Sequence, residues 1–309
     1  MEHDWVSDQY AKMKKAPAHE LSYHEAGNKL AAEGKLGAAI TSWRESLKEL
    51  PNFVPTLNNL GVACYQLGDY QTAITWFNRI IQLEPYNSGA LLGLGLSLMQ
   101  LGQDAEALLN LQKLLVQNPD NPEALNNIGM ILARQDNWEK AVPMFTRAIT
   151  VRPDYFDAYY NLGSSWYELG RYEESRQALQ QACRLVPDHT PALNNLGLCE
   201  LARGQYTEGE KNLLRVVSLE PGNQEAYFNL GLLYYQWGKY EKSLSAYQKA
   251  YSLGLNTAAV HYHLAAAFAA LGNIETARQH WETIIQDYPG NQLAAEAMRQ
   301  LQEAEDNGV

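Results

Sequence analysis

No run of basic residues in this sequence is longer than the pair Lys14–Lys15. A protein that grips a phosphate backbone needs a basic stripe to release counterions, so nucleic acid is not the expected partner. The shortage is general: 24 Lys and Arg stand against 35 Asp and Glu, a formal net charge of −11. Uninterrupted apolar stretches of about 18 residues are also missing, which predicts no direct membrane insertion. The start, Met1-Glu2-His3-Asp4-Trp5, carries acids where a signal peptide carries positive charge. Cysteine is scarce and odd in number. Cys64, Cys183 and Cys199 show no CxxC spacing and fall inside helical patterns, which fits a reducing compartment better than a disulfide framework. Together these absences predict a soluble, cytoplasmic protein.

Signatures of chemistry are missing too. Glycines are plentiful but follow a repeat phase, so no P-loop or dinucleotide fingerprint is present. His261 and His263 lie two apart and face different sides of a helix, and His280 is the third histidine in that region. Their expected role is structural or solvated, with no metal and no cofactor. The chain is expected not to be an enzyme.

What the sequence does contain is apolar material and a period. Hydrophobic residues make up 46% and aromatics 10%, which supplies a large packed core. Pro51, Pro85, Pro119, Pro153, Pro187 and Pro221 recur every 34 residues, the next slot holds Leu255, and Pro289 resumes the series. Glycines keep the same phase at Gly27, Gly61, Gly95, Gly129, Gly163, Gly197 and Gly231, with Ala265 last. A second set follows at Gly34, Gly68, Gly102, Gly170, Gly204, Gly238 and Gly272, with Asp136 as the exception. A fixed period of this size marks a solenoid rather than two separate domains.

With the proline at position 32, eight units occupy 20–53, 54–87, 88–121, 122–155, 156–189, 190–223, 224–257 and 258–291. Positions 4, 7, 8 and 11 form one helical stripe, as in Leu91, Leu94, Gly95 and Leu98. The glycine at 15 ends that helix, and a second stripe follows at 20, 24 and 27. Position 20 is always small (Ala39, Ala73, Ser243), and position 24 always large (Trp43, Phe77, Tyr247). The small residue at 20 is expected to face the small residue at 8, with the large one filling the wider end. The proline blocks further helix, and Asn87, Asn121 and Asn223 stand where they can N-cap the next one. Residues 1–19 read as an N-terminal arm. Residues 292–309 read as a capping helix and tail, with a stripe at Leu293, Ala297 and Leu301 alongside Met298.

These residues match the tetratricopeptide pattern W-x2-L-G-x2-Y…A-x3-F…P. The fifth unit reads Tyr159-x2-Leu162-Gly163-x2-Trp166, then Ser175, Leu179 and Pro187. The sequence therefore resembles the tetratricopeptide-repeat family over all eight units. That resemblance implies an all-α fold, an α-α superhelical solenoid of eight helix-turn-helix repeats with a C-terminal cap. It also implies a concave groove lined by the first helices at positions 2, 5, 6, 9, 12 and 13, where the family meets protein or peptide ligands. The sequence departs from the family at position 27, where alanine is favoured: Ile80, Leu114, Val216 and Ile284 are expected to push the following unit slightly away.

Position 6 carries Asn59, Asn127, Asn161, Asn195 and Asn229, and position 5 adds Asn58, Asn126 and Asn194. An asparagine offers an acceptor and two donors, so a row of them can pair with the backbone of an extended peptide. The row is similar to the asparagine ladder in the repeat domain of O-linked N-acetylglucosamine transferases; the alternative is that asparagine is simply common at this position. Tyr160 with Tyr167, Phe228 with Tyr235, and Tyr65 and Tyr262 share the face, either as anchors for ligand side chains or as packing against the next unit. The six groove positions hold one basic residue, Arg134, against Glu25, Glu123, Asp157, Glu168 and Glu225. Chaperone-binding relatives hold an acidic C-terminus with a basic clamp, which this face lacks. The expected function is a non-catalytic adaptor for a neutral or basic extended peptide. The alternatives are a self-assembling scaffold and a non-catalytic, substrate-positioning subunit of an enzyme complex.

Overall fold

The computed structural model describes residues 18–306, so the arm expected over residues 1–19 lies almost wholly outside the described residues. The chain divides into two compact units between Pro153 and Asp154. The first holds α1 (Ala18–Ala32), α2 (Leu36–Glu49), α3 (Val54–Gln66), α4 (Tyr70–Leu83), α5 (Ser88–Gln100), α6 (Asp104–Gln117), α7 (Pro122–Arg134) and α8 (Trp138–Val151). The second holds α9 (Phe156–Glu168), α10 (Tyr172–Leu185), α11 (Thr190–Ala202), α12 (Tyr206–Leu219), α13 (Gln224–Gln236), α14 (Tyr240–Ser252), α15 (Ala258–Ala270), α16 (Ile274–Asp287) and α17 (Gln292–Asp306). The fold is all-α, and among the described residues every regular element is a helix. Helices α1 to α16 pair into consecutive antiparallel hairpins, four in each unit. The period alone suggests one uninterrupted array. A solenoid is held by nearest-neighbour packing only, so a uniform period is compatible with segmentation.

Each hairpin turns through one left-handed residue. Gly34, Gly68, Gly102, Gly170, Gly204, Gly238 and Gly272 sit at φ between 70° and 78°, and Asp136 takes the same role at φ 55°. Asp136 is the only non-glycine with positive φ among the described residues, a conformation that aspartate tolerates better than most. Asn87, Asn121 and Asn223 do cap the helices they precede, accepting from the amides of Ala90 (2.9 Å), Ala124 (2.7 Å) and Ala226 (2.9 Å). Where Leu255 replaces the proline, Gly254 stops α14 instead, at φ 105°, and the Leu255 amide donates back to Ala250 O at 3.2 Å.

Inside a hairpin, the large side chain at position 24 lies directly on the glycine at position 8. A Cβ added to Gly61 would stand 2.6 Å from the Phe77 ring, and one on Gly231 would stand 2.4 Å from the Tyr247 ring. This corrects the expectation that the large residue fills a wider end: without a Cβ, the first helix offers bare backbone on which a ring can lie. The small residue at position 20 reaches the same backbone, as where Ser243 Oγ donates to Gly231 O at 2.8 Å. Phe77, Phe145 and Tyr247 are almost fully buried as a result, each contributing about 2–3 kcal/mol of apolar burial.

The bulky residues at position 27 do not separate neighbours. Ile80, Leu114, Val216 and Ile284 are fully buried, and α4, which carries Ile80, rests on the following helix as extensively as any other second helix does. In α17, Ala297 is buried in one apolar cluster with Trp281 and Ile284 of the last hairpin, and Leu293 and Leu301 pack against that cluster. Met298, expected alongside that stripe, is 54% exposed.

Within each unit successive first helices touch: α3 on α5 and α5 on α7, then α9 on α11, α11 on α13 and α13 on α15. Second helices of successive hairpins make no comparable contacts among the described residues. Each stack therefore curves with its first helices on the inside, and these present the candidate site.

Candidate functional site

In the first unit, the inner face opens into a hollow of about 380 Å³ lined by Asn28, Asn58, Asn59, Gln66, Val62 and Trp43, among others. Its polar wall is built by a hydrogen-bond chain. Trp43 Nε1–H donates to Asn28 Oδ1 at 3.1 Å, as does Asn59 Nδ2 at 2.8 Å. Indole nitrogen is a donor only, so this fixes Oδ1 as acceptor and turns Asn28 Nδ2 to His24 Nε2 at 3.0 Å. The His24 proton then sits on Nδ1, donating to Thr56 Oγ1 at 2.8 Å. Burial pushes the His24 pKa down, against the opposing charge of Glu25. Among the described residues no charged side chain lines this hollow, and Val62 at its edge is 41% exposed.

The other asparagines of this unit behave differently. Asn126 and Asn127 are exposed by only 3% and 8%. Asn127 Nδ2 donates to Glu123 O of its own helix at 2.7 Å, and Asn126 Nδ2 lies 3.5 Å from Met130 Sδ. The helix α7 is buried continuously from Ala124 to Gly129, which withdraws both amides from the solvent-facing row that the spacing suggests.

In the second unit, Asn161, Asn194, Asn195 and Asn229 are all half-buried. Asn195 Nδ2 donates to Ser164 Oγ at 3.2 Å, and Asn229 Nδ2 to Asn194 Oδ1 at 2.9 Å, so the amides bridge successive first helices. The position-6 asparagine thus pairs with position 9 or position 5 of the preceding repeat. Asn28 and Ser164 were not singled out from the sequence, although position 9 belongs to the inner set.

The aromatics are half-buried and packed on one side. Tyr65, Tyr167 and Tyr235 each meet the first tyrosine of the second helix in their own hairpin, Tyr70, Tyr172 and Tyr240, at 5.3–5.4 Å between ring centres. Tyr160 stacks with Phe156 and meets His189 edge-on at 5.4 Å. Phe228 and Tyr262 both contact the His263 ring. Burial raises the pKa of Tyr167, Tyr235 and Tyr262, so these phenols stay protonated.

The three histidines of the last hairpin pack inward. His263 stacks on Tyr247, 5.5 Å away at 21°, and burial pushes its pKa down to about 4. His261 Nε2 meets Asn256 Oδ1 at 2.8 Å and its Nδ1 meets His280 Nδ1 at 2.9 Å. Among the described residues, no group of three or more His, Cys, Asp or Glu is placed to share a metal ion.

Two of the inner charges are already paired. Arg134 reaches Asp104 at 3.4 Å and Met99 O at 3.3 Å, and Glu123 pairs with Arg152. Glu25 in the first unit and Asp157, Glu168 and Glu225 in the second are exposed. No described helix is long and apolar enough to cross a membrane.

Tetratricopeptide-repeat profiles match residues 54–87, 95–136, 132–190, 189–254 and 259–291. The chain belongs to the tetratricopeptide-repeat family. No curated protein matches its sequence. Among solved structures it is similar to a tetratricopeptide repeat protein from Parabacteroides merdae, with 19% identity, 81% of this chain and 98% of that one covered, and a TM-score of 0.58. It is similar to PilF of Pseudomonas aeruginosa, with 21% identity, coverage of 70% and 96%, and a TM-score of 0.59. It is also similar to a chain of the APC/C hetero-tetramer Cut9–Hcn1, with 17% identity, coverage of 89% and 54%, and a TM-score of 0.60. At these identities the likeness is one of fold.

Proposed function

We propose that this protein is a non-catalytic adaptor that holds an extended, neutral or basic segment of a partner protein against the inner faces of its repeats. The observation that carries the reading is the uncharged hollow of the first unit, where Asn28, Asn58, Asn59 and Gln66 surround an apolar floor. Amide side chains pair with peptide backbone whatever its sequence, and the apolar floor takes one side chain. The half-buried amides Asn161, Asn194, Asn195 and Asn229 extend the same chemistry through the second unit. Family membership agrees, since repeats of this kind typically serve as protein-interaction scaffolds, and the Cut9 structure contains a bound partner, Hcn1. The three cysteines are free, which fits a reducing, cytoplasmic setting.

Exposed inner acids disfavour an acidic tail as the ligand. Alanine at Asn58 and Gln66 together is expected to lower capture of the cellular partner at least about tenfold, by removing two direct hydrogen bonds, while the circular-dichroism melt is unchanged. Capture equal to wild type would remove the hollow from the account.

A further inference from the structure

A small hollow of about 130 Å³ lies on the inner face of the second unit, between α9 and α11. Ser164, Tyr167 and Glu168 come from α9, and Asn195 and Leu198 from α11. Its chemistry differs from that of the uncharged hollow in the first unit, because one wall is an exposed carboxylate, Glu168. The cation nearest to Glu168 in sequence is Arg171, and it is engaged elsewhere. Its guanidinium pairs with Glu174 and lies 5.0 Å from the centre of the Trp166 ring. Glu168 therefore faces the hollow with its charge uncompensated by that arginine.

Size and wall chemistry narrow the occupant. At ~30 Å³ per water, the space corresponds to about four waters, enough for a slender chain of about five heavy atoms and too small for an indole. Leu198 and the Tyr167 ring provide apolar walls, while Glu168 and Ser164 Oγ provide acceptors. An apolar guest would displace water from the Glu168 carboxylate without replacing its hydrogen bonds, and an acidic one would be repelled. A lysine side chain meets all the walls at once: its methylenes lie along Leu198 and Tyr167, and its ammonium sits by Glu168 within reach of the tyrosine face. The Tyr167 phenol stays protonated because burial raises its pKa, so it adds no charge of its own.

We propose that this hollow is a specificity subsite for one lysine of the bound segment, set by Tyr167, Glu168 and Leu198. The proposal rests on the adaptor reading above and adds to it a preference that the amide rows do not supply.

The test uses the full chain and a phage library of randomised twelve-residue peptides. Selected peptides are expected to carry lysine at one shared position. Changing that lysine to norleucine, which keeps the stem and removes the charge, is expected to weaken binding about tenfold, the scale of a partly desolvated cation–π and ion pair. In the Glu168→Gln variant the same change is expected to cost less than about twofold. Peptides that bind without a lysine preference and respond equally in both proteins overturn the subsite and leave the adaptor reading standing. Failure to select any peptide overturns both.

Discussion

Replacing Pro143 by alanine is expected to stabilise the first unit by about 2–3 kcal/mol. Pro143 lies inside α8, past its first turn, where it has no amide hydrogen to give to the carbonyl of Glu139 and its ring crowds that carbonyl. An interior proline costs about 3 kcal/mol relative to alanine. Pro143 is exposed, so water hydrates the orphaned carbonyl and no core contact is lost with the ring. In a stack held by nearest neighbours the gain stays local. Slowed amide exchange in α7 and α8, without change in α13–α16, is the expected reading. Equal exchange in α8 would mean that the helix has already absorbed the defect.

Acid is expected to loosen the end of the second unit before the rest of the protein. Burial lowers the pKa of His263 to about 4, and it also lowers those of His261 and His280, with Asp287 acting against the shift at His261. A histidine whose folded pKa lies below its unfolded value of about 6.5 gives its full stabilisation above pH 6.5 and loses it as pH falls toward the folded value. For His263 the loss runs at about 1.4 kcal/mol per pH unit between pH 6.5 and 4. Carboxylates held low by partners, Glu173 first among them at about 2, act only at more acid pH, below the usual carboxylate range. Thermal melts from pH 7.5 to 5 are expected to shift downward in wild type and clearly less in His263→Phe, which keeps the ring stacked on Tyr247. An identical pH dependence in the variant would place the sensitivity elsewhere.

The repeat was legible because its signals are backbone signals. Proline at position 32, glycine at position 15 and asparagine at position 34 act through φ, a missing donor and an N-cap, and these are fixed by residue type alone. Asp136 shows the same logic in reverse, since the turn needs a left-handed residue and the aspartate adopts it. Side-chain partners were less legible. That Tyr247 lies on Gly231, or that Asn59 pairs with Asn28, depends on how two helices are rotated about their axes. Position 6 alone did not distinguish Asn59, beside an open hollow, from Asn127, buried and bonded to its own helix. The period also gave no sign of the division after Pro153, because both units use the same repeat.

In the adaptor reading the partner lies against the first helices. Site-specific photo-cross-linking in the producing cells tests it most directly, with the photoreactive residue placed at Val62, at Asn194, or at Leu109, which is 59% exposed on the second helix α6. Val62 and Asn194 are expected to label one protein, each through a short continuous segment found by mass spectrometry, with little labelling from Leu109. Labelling of that protein from Leu109 alone, with none from Val62 or Asn194, would contradict it.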